Sequence, residues 1–295
     1  MSILAGPLSD VVLRSRPASP AVRDSEPAQP ATMANHTIKA FDADLRHLKR
    51  GVAEMGGLVE RQIIDEVDAL TKSDIMLAQR VIAADDTVDK FQRGIERMGV
   101  EIIARRQPMA VDLREIVGAL RISNDLERIG DLAKNIAKRV IALDGEAVPR
   151  RLIRGVIHMT ELVLGQLKCV LDSYARLDVA AAVAVWKSDQ EIDAITGSLF
   201  EELMGHMRED PQNINIGIHL LFCAKNIERK GDHATNIAEI VHYVVEGQVL
   251  HAARPKGDTT NLAVGSADRL QRQRRPVLLE SADCAVAWPL PAKLR

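Results

Sequence analysis

This chain of 295 residues has little aromatic character, since Phe, Trp and Tyr together make up 3% of it. Sheet-rich chains lean on aromatic and β-branched residues alternating along strands, so this scarcity points to helices. Cysteine is just as sparse. Cys169, Cys223 and Cys284 stand at no paired spacing, which suggests neither a disulfide framework nor a thiolate metal site and fits a reducing cytosol. Cys169 and Cys223 fall on apolar helix faces and read as small core residues. Long apolar runs are missing too: VAAAVAVW, Val179 to Trp186, falls far short of the ~20 residues that span a bilayer. A Gly-rich phosphate loop and a nucleophile elbow are both absent.

Proline is scarce where it matters most. Of twelve prolines, five lie in the first thirty residues and four after residue 250, leaving Pro108, Pro149 and Pro211 for everything between. Proline breaks helix interiors, so this middle region has room for long helices with those three prolines at the joints. The stretch to about Thr32 is rich in Pro, Ala and Ser and reads as disordered. It lacks the basic start and apolar core of a signal peptide. Met33 opens a well-patterned helix and fits a translation start. From His251 onward the chain is irregular and basic, with eight Lys/Arg against four Asp/Glu, whereas the middle carries 28 basic and 34 acidic residues. An acidic body argues against nucleic acid as a partner, and the tail's RLQRQRR run reads as solvated.

In the middle region the apolar residues Ile38, Phe41, Leu45, Leu48, Val52, Met55 and Val59 alternate at steps of three and four, the seam of a bundled helix. That seam continues through Ile63 towards Leu70 and breaks at TKSD. A second pattern runs from Leu77 to Ile102 and a third from Leu113 to Val140. The same grammar then repeats. Gln62, Asp74, Val81 and Asp89 recur as Gln166, Asp178, Val185 and Asp193 at an offset of 104, while Glu127 and Asn135 recur as Glu228 and Asn236 at 101. The difference falls in one loop, where RRQPMAVD becomes REDPQNIN, as a structural repeat tolerates. The expected fold is therefore all-α: two repeated three-helix bundles, residues 34–145 and 146–250, between a disordered extension (1–33) and a basic irregular tail (251–295).

The clearest repeat is NDLERIGDLAKNI, from Asn124, against KNIERKGDHATNI, from Lys225, with seven of thirteen positions identical. Residues four apart on a helix share a face, so Glu127 with Asp131, and Glu228 with Asp232, form two acidic pairs. Like charges so placed repel by about 0.2–0.5 kcal/mol. Each motif also holds a glycine, Gly130 or Gly231, which costs about 1 kcal/mol more than alanine in a helix. Both penalties recur in both halves, which calls for a compensating contact: a cation between the acids and a close backbone neighbour at the glycine. Asp85 with Asp89, and Asp189 with Asp193, add a pair to each second helix. All-carboxylate sites suit Mg²⁺, Mn²⁺ or iron. Against this stands plain surface decoration, with Arg128 and Arg229 neutralising their neighbours as salt bridges. Asn135 and Asn236, one turn past the second acid, read as hydrogen-bonding to the acidic site or bridging helices. His233, opposite Leu132 of the first copy, reads as a minor ligand at best.

The duplicated ERxGDxAxNI, preceded by DxxxD pairs, resembles the PhoU family over roughly Ala34 to Gly247. The resemblance implies two similar three-helix bundles and metal-site roles for Asp85, Asp89, Glu127, Asp131, Asp189, Asp193, Glu228 and Asp232. The metal would be iron, manganese, magnesium or zinc. It further implies a non-enzymatic negative regulator of phosphate-starvation signalling and phosphate uptake, often a homodimer. Such a protein sits in the cytoplasm, recruited to the inner face of the membrane, and links the ATPase subunit of a phosphate ABC transporter to a sensor histidine kinase. Lys230, in place of the apolar Ile129, departs from this symmetry and leaves the two halves unequal in metal binding. Two other readings compete. A ferritin-like di-metal oxidase needs Glu-x-x-His, and glycine stands at that third position in both copies. A metal-free helical adaptor would bind basic partners through its acidic faces, weakly at high salt.

Overall fold

Capping residues and prolines decide where the helices stop. The computed structural model describes residues 30–146 and 148–250. They form six helices: α1 (Pro30–Lys72), α2 (Ile75–Arg106), α3 (Ala110–Ala142), α4 (Arg150–Arg176), α5 (Val179–Glu209) and α6 (Ile214–Glu246). The all-α class expected from the sequence is the one found. The chain divides after Lys39 into two units, and everything below concerns the second. Of the expected terminal extensions, residues 1–29 and 251–295, with the RLQRQRR run, lie outside the described residues; residues 30–33 open α1.

The TKSD break works through its aspartate. Asp74 caps α2 by accepting a hydrogen bond from the Leu77 amide at 2.9 Å, and its repeat partner Asp178 caps α5 from the Ala181 amide at 3.1 Å. Caps of this kind stabilise a helix by roughly 1 kcal/mol each. The recurrence of Asp74 as Asp178 is thus a helix start written twice. At the third joint Asp210 accepts from the Gln212 amide at 2.9 Å, and Pro211 opens a single 3₁₀ turn, Pro211–Asn213, ahead of α6.

The seam of α1 is buried as its periodicity requires. Leu48, Val52, Met55 and Val59 are all within 1% of complete burial, and so are their counterparts 104 residues on, Leu152, Val156, Met159 and Val163. Phe41 and Leu45 lie half-buried against the same core. Leu113 differs from its pattern: it is 37% exposed, because the first turn of α3 runs past the end of the core. A helical stripe fixes which face a residue occupies, not how far along the helix the neighbours extend.

Two core clusters hold the described residues together, and each draws on all six helices. One joins the first parts of α1, α3 and α5 to the last parts of α2, α4 and α6. The other joins the opposite ends. Equivalent residues therefore sit in different clusters, Leu48 in the first and Leu152 in the second, so the two halves pack antiparallel. At the seam between them α3 and α6 run close. A Cβ on Gly118 would stand 2.5 Å from Val244 Cγ2, too near for any side chain to fit unshifted.

The seam also carries polar links. Lys230 on α6 and Glu66 on α1, both wholly buried, form an ion pair. Burial pushes each towards its neutral form, and the partner's charge resists. Beside them the Cys223 thiol is pushed up to about 12 by burial, then by the Glu66 charge, so it is a protonated core group. Nearer the surface His219 is held below its ordinary value of 6.5, first by burial and then by Arg139, and its Nδ1 has no hydrogen-bond partner. A histidine that resists protonation when folded, and accepts it when unfolded, costs stability as pH falls through 6.5. Urea unfolding at about pH 7.5 and about pH 5.5 should show that loss, and His219→Gln should make it smaller.

Candidate metal centre

Helical spacing places the first acidic face on α2 and α3. Asp85 and Asp89 lie one turn apart on α2, Glu127 and Asp131 one turn apart on α3, and burial and mutual charge tie them together. The Glu127 carboxyl is raised first by burial, then by the charge of Asp131, with smaller contributions from Asp89 and Asp85, while Arg128 opposes. Asp85 is raised by burial first, with Asp131 and Asp89 adding to the effect. Burial and like charge both favour the protonated form of Asp85 and Glu127, and a neighbouring cation opposes that.

The cation present is a lysine. The Lys134 ammonium donates to Asp85 Oδ2 and, at 2.6 Å, to Asp131 Oδ1. Those bonds hold Lys134 above its usual range despite its partial burial. Arg128 reaches Glu127 at 3.5 Å and Asp131 at 3.6 Å, and Arg93 reaches Asp89 at 3.8 Å. With the Arg128 side chain 63% exposed, these are loose surface pairs worth little. Arg128 thus pairs only loosely with Glu127 and Asp131, and the tighter hold belongs to Lys134.

The glycine of the motif has an explanation, and it corrects the expectation of a close backbone neighbour. A Cβ on Gly130 would meet the side chain of Gln62 from α1, with Oε1 at 3.1 Å, and then Val88 and Asp85 Oδ1 at 3.4 and 3.6 Å. Gly231 repeats this: its Cβ would meet Ile192 at 3.0 Å and the Gln166 Oε1 at 3.6 Å. Matched glutamines on α1 and α4 thus lie over matched glycines on α3 and α6. Gln166 donates to Ser188 Oγ at 3.0 Å. Gln62 is 3% exposed, and neither of its amide atoms has a hydrogen-bond partner.

In the second half, Lys225 holds Glu228, with the ammonium 2.8 Å from Oε1. Asp193 and Asp232 are half-buried, Arg229 is exposed, and Asp189 lies on α5 four residues before Asp193. The asparagines separate. Asn236 Nδ2 donates to Asp125 Oδ1 at 3.3 Å and so bridges α6 to α3, whereas Asn135 is exposed. His233 also faces Asp125, Nδ1 to Oδ1 at 2.8 Å, and this places it on the seam between the halves.

Oxygen donors of this kind suit hard divalent cations, and the orphaned Gln62 amide adds one more near the first face. As the side chains stand, however, no three His, Cys, Asp or Glu groups among the described residues are gathered tightly enough to hold a metal. The oxygen chemistry of the donors suits such a cation, while their present arrangement is lysine-neutralised, with Lys134 between Asp85 and Asp131. Sequence reasoning missed Lys134, although it stands three residues after Asp131, the spacing of a helical ion pair. It also matched Gln62 to Gln166 without giving them a role.

Fold and faces together define a class: a duplicated helical repeat protein that sets acidic residues at equivalent places in both copies. The PhoU domain model matches residues 52–140 and 156–241, once in each half. The "Phosphate-specific transport system accessory protein PhoU homolog" of Rhizobium meliloti (strain 1021) is 54% identical over 226 residues, 77% of this chain and 95% of that protein. The protein of the same description from Caulobacter vibrioides (strain NA1000 / CB15N) is 48% identical over 226 residues, 77% of this chain and 98% of its own length. The crystal structure of PhoU from Pseudomonas aeruginosa matches with a TM-score of 0.68 at 39% identity, covering 70% of this chain and 100% of that one. The chain belongs to the PhoU family. No helix among the described residues is long and apolar enough to cross a membrane.

Proposed function

We propose that this chain is a non-enzymatic negative regulator of phosphate-starvation signalling and phosphate uptake. It acts as a metal-binding helical adaptor in the cytoplasm, a homodimer at the inner face of the membrane. There it links the ATPase subunit of a phosphate ABC transporter to a sensor histidine kinase. The observation that carries this reading is the acid-bearing motif kept at equivalent places in both halves, in a chain 54% identical to a phosphate-specific transport accessory protein. Carboxylate-rich faces favour magnesium or manganese over zinc, with iron between them.

When bound, the metal would supply charge neutralisation and a fixed geometry on each face. Asp85, Asp89, Glu127 and Asp131 would hold it in the first half, and Asp189, Asp193, Glu228 and Asp232 in the second. A metal-free adaptor is the second reading, favoured by the Lys134 ammonium already set among the first-half acids. Its faces would bind basic partners through screened charges, and that binding would fall steeply with salt.

Expression tests the regulatory reading. Cells depleted of the protein and grown in ample phosphate should raise alkaline phosphatase and transporter transcripts severalfold over undepleted cells. Unchanged repression would leave the chain a PhoU-family fold without the regulatory role.

A further inference from the structure

Lys134 does work that the proposed function does not ask of it. Its ammonium bonds Asp85 on α2 and Asp131 on α3, and so joins the two acid-bearing helices. The lysine side chain is 24% exposed and that of Asp85 6%, so the link is partly shielded from water. Gln62 lies against the same spot. It is 3% exposed with no partner for either amide atom, and its Oε1 and Asp85 Oδ1 lie 3.1 and 3.6 Å from the Cβ position of Gly130. Buried amides are nearly always partnered, so this one marks a place where a further group belongs.

The repeat makes Lys134 distinctive. Its equivalent is Thr235, whose hydroxyl donates to the Gly231 carbonyl at 3.0 Å, and no ammonium stands at that position in the second half. A tethered charge also competes at a high effective concentration, set by the length of its side chain.

We propose that Lys134 is a built-in counter-ion that competes with a divalent cation for the first acidic face. The metal binds there only when the ammonium leaves Asp85 and Asp131, and the face stays neutralised and folded when no metal is bound. This inference rests on the metal-binding reading above and adds a residue that governs it.

Manganese titration of the purified full chain, with bound Mn²⁺ measured by equilibrium dialysis, tests it. Lys134→Met should raise first-face affinity about tenfold, since it removes two charge-assisted bonds that the metal must otherwise break. Lys134→Arg keeps the charge and should leave affinity near that of the wild type. The wild type supplies a second readout that needs no variant. Acetylation of Lys134 by acetic anhydride, followed by mass spectrometry, should be slow in chelator and severalfold faster with Mn²⁺. If Mn²⁺ binds but neither the Lys134→Met affinity nor the labelling changes, the counter-ion role is wrong and metal binding stands. If neither wild type nor Lys134→Met binds Mn²⁺, both fall.

Discussion

Replacing Lys230 with alanine should lower stability by about 3–5 kcal/mol, since it leaves the buried Glu66 carboxylate without a partner. Both side chains are wholly buried, and they join α6 to α1 across the seam between the halves. The repeat supplies the comparison. The residues equivalent to Glu66 and Lys230 are Val170 and Ile129, both fully buried in the first cluster. The same structural position is thus polar on one side of the molecule and apolar on the other. The double replacement Glu66→Val with Lys230→Ile copies the apolar side and should be neutral or up to about 4 kcal/mol more stable. Urea unfolding of the single and double variants checks both values. A double variant as unstable as Lys230→Ala would mean that the pair is not the source of the loss.

The second large effect concerns the acidic faces. Neutralising Glu127, Asp131, Glu228 and Asp232 together, as Gln or Asn, keeps their shape and removes four negative charges. Bound Mn²⁺ should fall by at least roughly 100-fold, since loss of the ligands themselves exceeds the loss seen for their supporting shell. The fold should survive, because like-charge repulsion within each pair is relieved and each amide matches the size of the acid it replaces. Lys134 would keep Asp85 and exchange its second carboxylate acceptor for a neutral amide oxygen. Equilibrium dialysis reports the metal, and helical circular dichroism reports the fold.

The helices themselves were legible in the sequence because each carries its own signals. Apolar steps of three and four give the buried face of α1, Asp74 and Asp178 give two starts, and Pro108, Pro149 and Pro211 give the joints. Antiparallel packing of the halves was not legible, since periodicity names a face and not its neighbour. Lys230 shows the consequence. On its own helix it reads as a break in an apolar position, and its partner Glu66 lies 164 residues away. Gly130 is similar: its cost is visible in the motif, yet the group it makes room for belongs to α1. The acids were found by repetition, and the lysine that neutralises two of them does not repeat. The exposure of Leu113 was not legible, because the end of a core cannot be read from a local pattern.

In the proposed regulatory role the acidic faces are the working surface, and complementation tests this most directly. Cells depleted of the native protein, grown in ample phosphate, would receive either the wild type or the four-fold neutralised variant at equal abundance, with alkaline phosphatase as the readout. The account predicts that the wild type restores repression and the variant leaves phosphatase high. Full repression by the variant would contradict it and would place the working surface elsewhere on the bundle.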